Sequence, residues 1–230
     1  MKTYLKKIWV ALICFGLHSN MAISQNQGLD LAEIDLNIKN ISTTVLAEGS
    51  PYITEEFLSL KLEDLTTKIY SGRYNAYNGE MEIKLSDDKI IALDNNADYT
   101  ITFIASNKKY KTYTYKDADL NLQREFLVVV SKDSSFTLLK KEHIKFQDKV
   151  KPKSSYDKEK PAKFIKANDT YYLNFENNTR VLSLNKKQFL SSFPKTEVQL
   201  KSYIKKNKLS LKDENDLIKI VAYLSSISKP

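Results

Sequence analysis

The 230-residue chain carries 36 Lys and Arg against 28 Asp and Glu, a formal charge of +8, with one cysteine and two histidines. One cysteine excludes an intrachain disulfide framework, and two histidines leave little for a zinc site, which draws on several Cys and His. A positive balance of this size speaks to solubility and nonspecific attraction, not to a particular partner.

The chain opens with Lys2, Lys6 and Lys7, then the apolar run Ile8 to Leu17, then small Ala22 and Ser24 before Gln25. This pattern predicts a secretory signal peptide, residues 1–24, cleaved after Ser24; the run is shorter than the roughly 20 residues of a membrane span. Cys14 falls inside it, and bulky Ile13 argues against lipid attachment there. No long apolar stretch follows, so no transmembrane segment is expected after cleavage, and the product is expected to be periplasmic or secreted.

Residues 29–47 fit two periods. Ile34, Leu36 and Ile38 alternate as in a strand, whereas Leu31, Ile34, Ile38, Ile41 and Val45 recur at helical spacing. The β-branched residues from Ile41 to Val45 favour extended structure. Gly49-Ser50-Pro51 breaks the pattern, and Tyr52 to Leu60 and Lys68 to Tyr70 read as strands leading into a hairpin over Gly72 to Leu85.

Asn78-Gly79 suits a two-residue type I′ turn. Counting outward places Ala76 opposite Met81, Tyr74 opposite Ile83 and Gly72 opposite Leu85 on an apolar face. Tyr77/Glu80, Asn75/Glu82 and Arg73/Lys84 then share a solvated polar face.

Strands are predicted next at 90–93, 99–104, 110–115, 125–130 and 136–146. A lysine-rich polar loop covers 147–161, and strands resume at 163–165, 171–175 and 181–184. From Asn185 the period changes. Asn185 caps a helix running through Phe193, a second spans Glu197 to Lys206, and Ser210 with Asp213 resembles the capping box of a third carrying Leu217, Ile220, Val221 and Leu224. The fold class expected is α+β: an antiparallel β-meander, as a curved sheet, sandwich or partial barrel, over 25–184, then a C-terminal cap of two or three helices over 185–230.

Residues able to carry chemistry are sparse. His143, the one histidine beyond the signal, reads as an ordinary strand side chain without ligand spacing. The acidic runs Asp94/Asn96/Asp98 and Asp117/Asp119/Asn121 begin like calcium loops, but hold Tyr99 and Leu122 where Gly is needed and Ala105 and Val128 where Glu is needed. Glu80 and Glu82 share a strand face as an acid/base pair would, with Arg73 diagonal to relieve them. No metal or cofactor is expected.

The run from Lys108 to Lys116 places Lys111, Tyr113 and Tyr115 on one strand face, where rings could stack on a polymer while ammonium groups meet anions. Tyr156 and Lys158 offer a similar set in the polar loop. Export, with only Arg73, Arg124 and Arg180 in the chain, weighs against nucleic acid.

The stretches Gly49-Ser50-Pro51-Tyr52 with Glu55, Glu56 and Phe57, and Arg73 to Asn78 before Glu80-Met81-Glu82, carry a resemblance. So do Ser155 to Pro161 with Phe164 and Tyr172, and Ile204 to Leu211 running into Asp216-Leu217-Ile218. The chain resembles a group of uncharacterised exported proteins of Bacteroidota, which implies export and a shared fold but no activity. The expectation is a non-enzymatic envelope protein binding a protein partner or an anionic cell-envelope polymer. The alternatives are a carrier of a small apolar ligand lined by Tyr74, Met81 and Ile83, and a hydrolase using Glu80 and Glu82.

Overall fold

The computed structural model describes residues 38–42, 47–117, 120–152 and 159–228. The signal peptide, Tyr156 and Lys158 lie outside the described residues. The strands are β1 (Ile38–Lys39), β2 (Leu58–Glu63), β3 (Ile69–Asn75), β4 (Glu80–Ser86), β5 (Lys89–Leu93), β6 (Thr100–Phe103), β7 (Lys108–Lys116), β8 (Leu122–Lys132), β9 (Phe136–Lys141), β10 (Ile144–Gln147), β11 (Lys163–Lys166), β12 (Thr170–Phe175) and β13 (Asn178–Val181). Three helices follow: α1 (Lys186–Ser191), α2 (Glu197–Lys206) and α3 (Glu214–Ile227). The protein is β-rich, with a curved, partly closed sheet and helices at its C-terminal end.

The sheet divides at β7, whose one edge is shared by two neighbours. β6 pairs with its first half, from Lys108 to Lys111, and leads on through β2, β3, β4, β5 and β1. β13 meets its far end at a single parallel position, Thr179 opposite Tyr115. The other edge of β7 pairs with β8, which pairs with β9, then β12, then β13. Strands β7, β8, β9, β12 and β13 therefore form a ring.

Alternation along β8 and β9 distributes the core. Phe126 and Val128 of β8 join Leu60, Met81, Ile83, Ile101 and Tyr110 in the core of the first half. Leu127 instead points into the ring with Tyr115, Leu139 and Tyr172. On β9, Leu139 faces the ring, while Leu138 faces outward beneath Phe189, Leu200, Leu217 and Ile220 of the helices. Stacked Tyr203 and Tyr223, 4.0 Å between centroids, join α2 to α3.

The hairpin register differs from the sequence expectation. Residues 76–79 form a four-residue loop, and Tyr74 lies opposite Met81, Gly72 opposite Ile83 and Arg73 opposite Glu82. A two-residue slip preserves which residues share a face. Its cause is the Asn75 side chain, whose Oδ1 accepts from the amides of Tyr77 (3.2 Å) and Asn78 (3.0 Å) and so turns the chain early. Gly79 keeps its positive φ of 70° as the last loop residue. The type I′ geometry appears elsewhere, at Glu176 (φ 48°) and Asn177 (φ 61°) between β12 and β13.

Other boundaries shift as well. The strand expected at 52–60 begins at Leu58, because Tyr52 makes only an isolated bridge to Asn75. The strand expected at 136–146 breaks at Glu142-His143, where β9 leaves for β12 and β10 pairs with β11. The strand placed at 181–184 is instead β13, which ends at Val181 and is anchored by its turn. Asn185 caps α1, accepting from Lys187 and Gln188 amides. The cap of α3 is Asp213, accepting from the Asp216 amide, and Ser210 instead donates its own amide to the Asp216 carboxylate at 3.1 Å. Among the described residues no helix is long and apolar enough to cross a membrane.

Candidate functional site

The polar face of the hairpin is not solvated. Glu82 is 0% exposed and Glu80 is 2% exposed, because Lys39, Ser42, Tyr52 and Phe57 lie over that face. Glu82 accepts from Arg73 Nε at 2.9 Å, Tyr52 Oη at 3.1 Å and Asn75 Nδ2 at 3.4 Å. Glu80 accepts from Ser42 Oγ at 2.6 Å and lies 3.3 Å from Lys39 Nζ. A buried carboxylate is costly unless charged and polar partners surround it, and each has them. Arg73 is held further by the ring of Tyr52, 3.6 Å from its guanidinium, and that of Phe57, 4.3 Å away.

The tip of the hairpin is clamped from two sides. Ala76 and Tyr77 donate their amides to the carbonyl of Pro51, and the ring of Tyr77 packs against Phe146 and Phe164 of β10 and β11. Residues 49–57, 73–82 and Phe164 thus meet at one place.

The β7 candidates are separated by depth. Lys111 is exposed, with its ammonium 5.8 Å from the Tyr113 ring centroid; Tyr113 is half-buried, and Tyr115 is buried inside the ring. Tyr115 donates to Glu125, whose carboxylate also pairs with Lys141 Nζ at 2.5 Å. Burial, then the bond to Glu125, pushes the Tyr115 hydroxyl far above its ordinary range; burial also raises Tyr113 and Tyr172. Raised in this way, these phenols keep their protons at neutral pH. A flat stacking platform from Lys111 to Tyr115 does not form.

His143 sits in the break between β9 and β10, not within a strand, with Nε2 3.0 Å from Thr170 Oγ1. Burial, helped by the nearby Lys141 charge, lowers its affinity for a proton. Among the described residues no group of three or more His, Cys, Asp or Glu is placed to hold a metal. Met81 and Ile83 are fully buried in the core, and of the residues named for an apolar-ligand cavity, Tyr74 lines a small pocket.

A broad concavity lies where β7 and β13 part beyond their single bridge. It is a trough of about 740 Å³ bordered by Tyr115, Lys116, Asp117, Leu120, Leu122, Arg180 and Val181. Leu120, Leu122 and Val181 are 73%, 71% and 53% exposed. Lys116 and Arg180 form no ion pair among the described residues, while Asp117 accepts from Gln123 Nε2 at 2.8 Å. A second concavity of about 490 Å³ lies against Arg180 and Val181 as well, bordered by Phe175 and Phe193.

Of the residues at this trough, the sequence pattern points to Tyr115 and gives no site signal for Arg180 or Val181. For Leu120 and Leu122, two leucines in an otherwise polar turn are the available signal. No protein-family model, curated protein or solved structure shows significant similarity to this chain.

Proposed function

We propose that this is an exported, non-enzymatic protein of the cell envelope that binds an acidic segment of a partner protein along the trough between β7 and β13. The observation carrying this reading is the combination in one trough of three exposed apolar side chains with two cations that have no carboxylate partner among the described residues. Exposed apolar groups clustered beside a concavity mark interaction surfaces. The cations favour a partner bearing Asp or Glu, and the strand edges left where β7 and β13 part beyond their single bridge favour an extended chain. Export rests on the N-terminal charge and hydropathy pattern.

The test is fluorescence anisotropy with a labelled peptide of alternating Glu and Leu, beside an alternating Lys and Leu peptide and a labelled polyuronate. The acidic peptide should bind, weaken with added salt, and lose about tenfold or more affinity in the Lys116→Glu, Arg180→Glu variant. Equal binding of acidic and basic peptides, or no effect of the charge reversal, overturns the reading. Binding of the polyuronate alone would replace the protein partner with a polymer.

A further inference from the structure

The concavity of about 490 Å³ beside Arg180 lies on the outer face of the ring, where strand register collects its lining. Phe136, Phe175 and Asn178 stand opposite one another across β9, β12 and β13, and Leu138, Leu173 and Arg180 form the next row. Opposed residues point to one side of a sheet. Leu138 and Leu173 meet the helices, so the Arg180 side chain leaves β13 on the helix side as well. Phe193, just past α1, supplies the facing wall, its ring edge-on to Phe136 at 6.4 Å. We propose that this pocket binds a small aromatic carboxylic acid, its ring against Phe175 and Phe193 and its carboxylate on the Arg180 guanidinium.

The lining sets the body of the ligand. Sites for small molecules commonly hold about 300–1,000 Å³ and combine apolar walls with a few polar groups. Here Phe136, Leu173 and Leu182 are buried, while Asn178, Arg180 and Ser192 are the polar members. Phe175 stays 38% exposed among these buried neighbours, so a flat apolar body gains by covering it. Phe136 and Phe175 lie 4.9 Å apart with a 30° tilt, and Phe193 meets Phe136 at 86°. An aromatic ligand can extend both offset and edge-to-face contacts, which a saturated one of equal size cannot.

Arg180 sets the head group. Its Nε donates to Asn178 Oδ1 at 3.2 Å, which turns the guanidinium along β13 toward the row that holds Phe175. The two terminal nitrogens have no partner among the described residues, and no acidic side chain borders the pocket. A planar fork with two free N–H edges matches a carboxylate, and such charge-assisted bonds are about twice as strong as neutral ones. An acid is therefore preferred to its alcohol. This site stands apart from the proposed binding of an acidic segment, although Arg180 borders both concavities.

Calorimetric and NMR titration of the full chain with 2-naphthoate and 3-phenylpropionate, beside 2-naphthalenemethanol and 3-cyclohexylpropionate, tests this. The aromatic acids should saturate, 2-naphthoate binding about fivefold or more tightly than its alcohol and 3-phenylpropionate about twofold or more tightly than its saturated analogue. Ser192→Trp, at an exposed position on the rim, should abolish acid binding with the thermal midpoint retained. Arg180→Gln should leave the alcohol's affinity in place and remove the preference for the acid. Equal affinity within either pair, acid binding that survives Ser192→Trp, or no saturation by about 10 mM acid overturns the proposal. Ser192 does not border the trough, so the alternating Glu and Leu peptide should bind this variant as it binds the parent, and either site can fail alone.

Discussion

Glu176 and Gly79 place opposite residue types at the same backbone demand. Both have positive φ, 48° and 70°, but only glycine adopts that region without a Cβ penalty. Nothing lies within 4 Å of a Cβ built on Gly79, so its cost of substitution is conformational alone. Gly79→Val should lower stability by roughly 1 kcal/mol or more, while exposed Glu176→Gly should raise it by roughly 0.5 kcal/mol, both read by chemical denaturation. Asn78-Gly79 was legible as a turn, yet its register was not, because a buried Asn75 side chain closes the loop two residues early. Sequence patterns record φ preferences; they do not record which side chain reaches which amide. Glu176 shows the converse, since glutamate carries no turn signal and the geometry comes from the pairing of β12 with β13.

At the scale of elements, the hairpin's second face decides how its charges behave. The alternation of Glu80, Glu82 and Lys84 with Met81, Ile83 and Leu85 reads as one wet face and one dry one, and the dry face is where expected. The other face is covered because Pro51, Tyr52 and Phe57 fold back over it, a long-range event with no local periodicity. Removing one member of a buried ion pair strands the other. Arg73→Met should therefore cost about 3–5 kcal/mol, whereas Arg73→Met with Glu82→Met should recover much of that loss. Urea unfolding of the two variants and the parent measures this; equal losses would mean that Glu82 finds other cover. The helices were the most legible elements, since Asn185 and the stripe of α3 lie in adjacent residues. Even there the cap moved to Asp213, because Asp216 is engaged by both the Asp213 side chain and the Ser210 amide.

Across the whole molecule, the helical layer is tied to the ring by a polar contact as well as by its apolar stripe. Glu214 accepts from Lys140 Nζ at 2.7 Å and from Tyr171 Oη at 2.7 Å. Burial alone would raise the Glu214 carboxyl, but these two bonds and the Lys140 charge outweigh it and hold the group below its ordinary range. A carboxyl lowered on folding adds stability that is complete above its unfolded value near 4.5 and is lost as pH falls through the folded one. Thermal midpoints should therefore drop below about pH 4.5, and Glu214→Gln should flatten that decline. Many short strands with polar turns made a β-rich fold legible. The ring was not, because its closure joins Tyr115 of β7 to Thr179 of β13, far apart along the chain, and the trough exists only where those two strands part.

The bridge between Thr179 and Tyr115 has a kinetic corollary. During synthesis β7 and β8 emerge long before β13, so Tyr115 and Leu127 lack their enclosing wall until β13 has followed. Contacts so distant along a chain form slowly, because loop-closure entropy is spent before they return any stabilisation. The β12–β13 hairpin is therefore the last stave of the ring to arrive, and its tight turn assembles that stave locally before it docks.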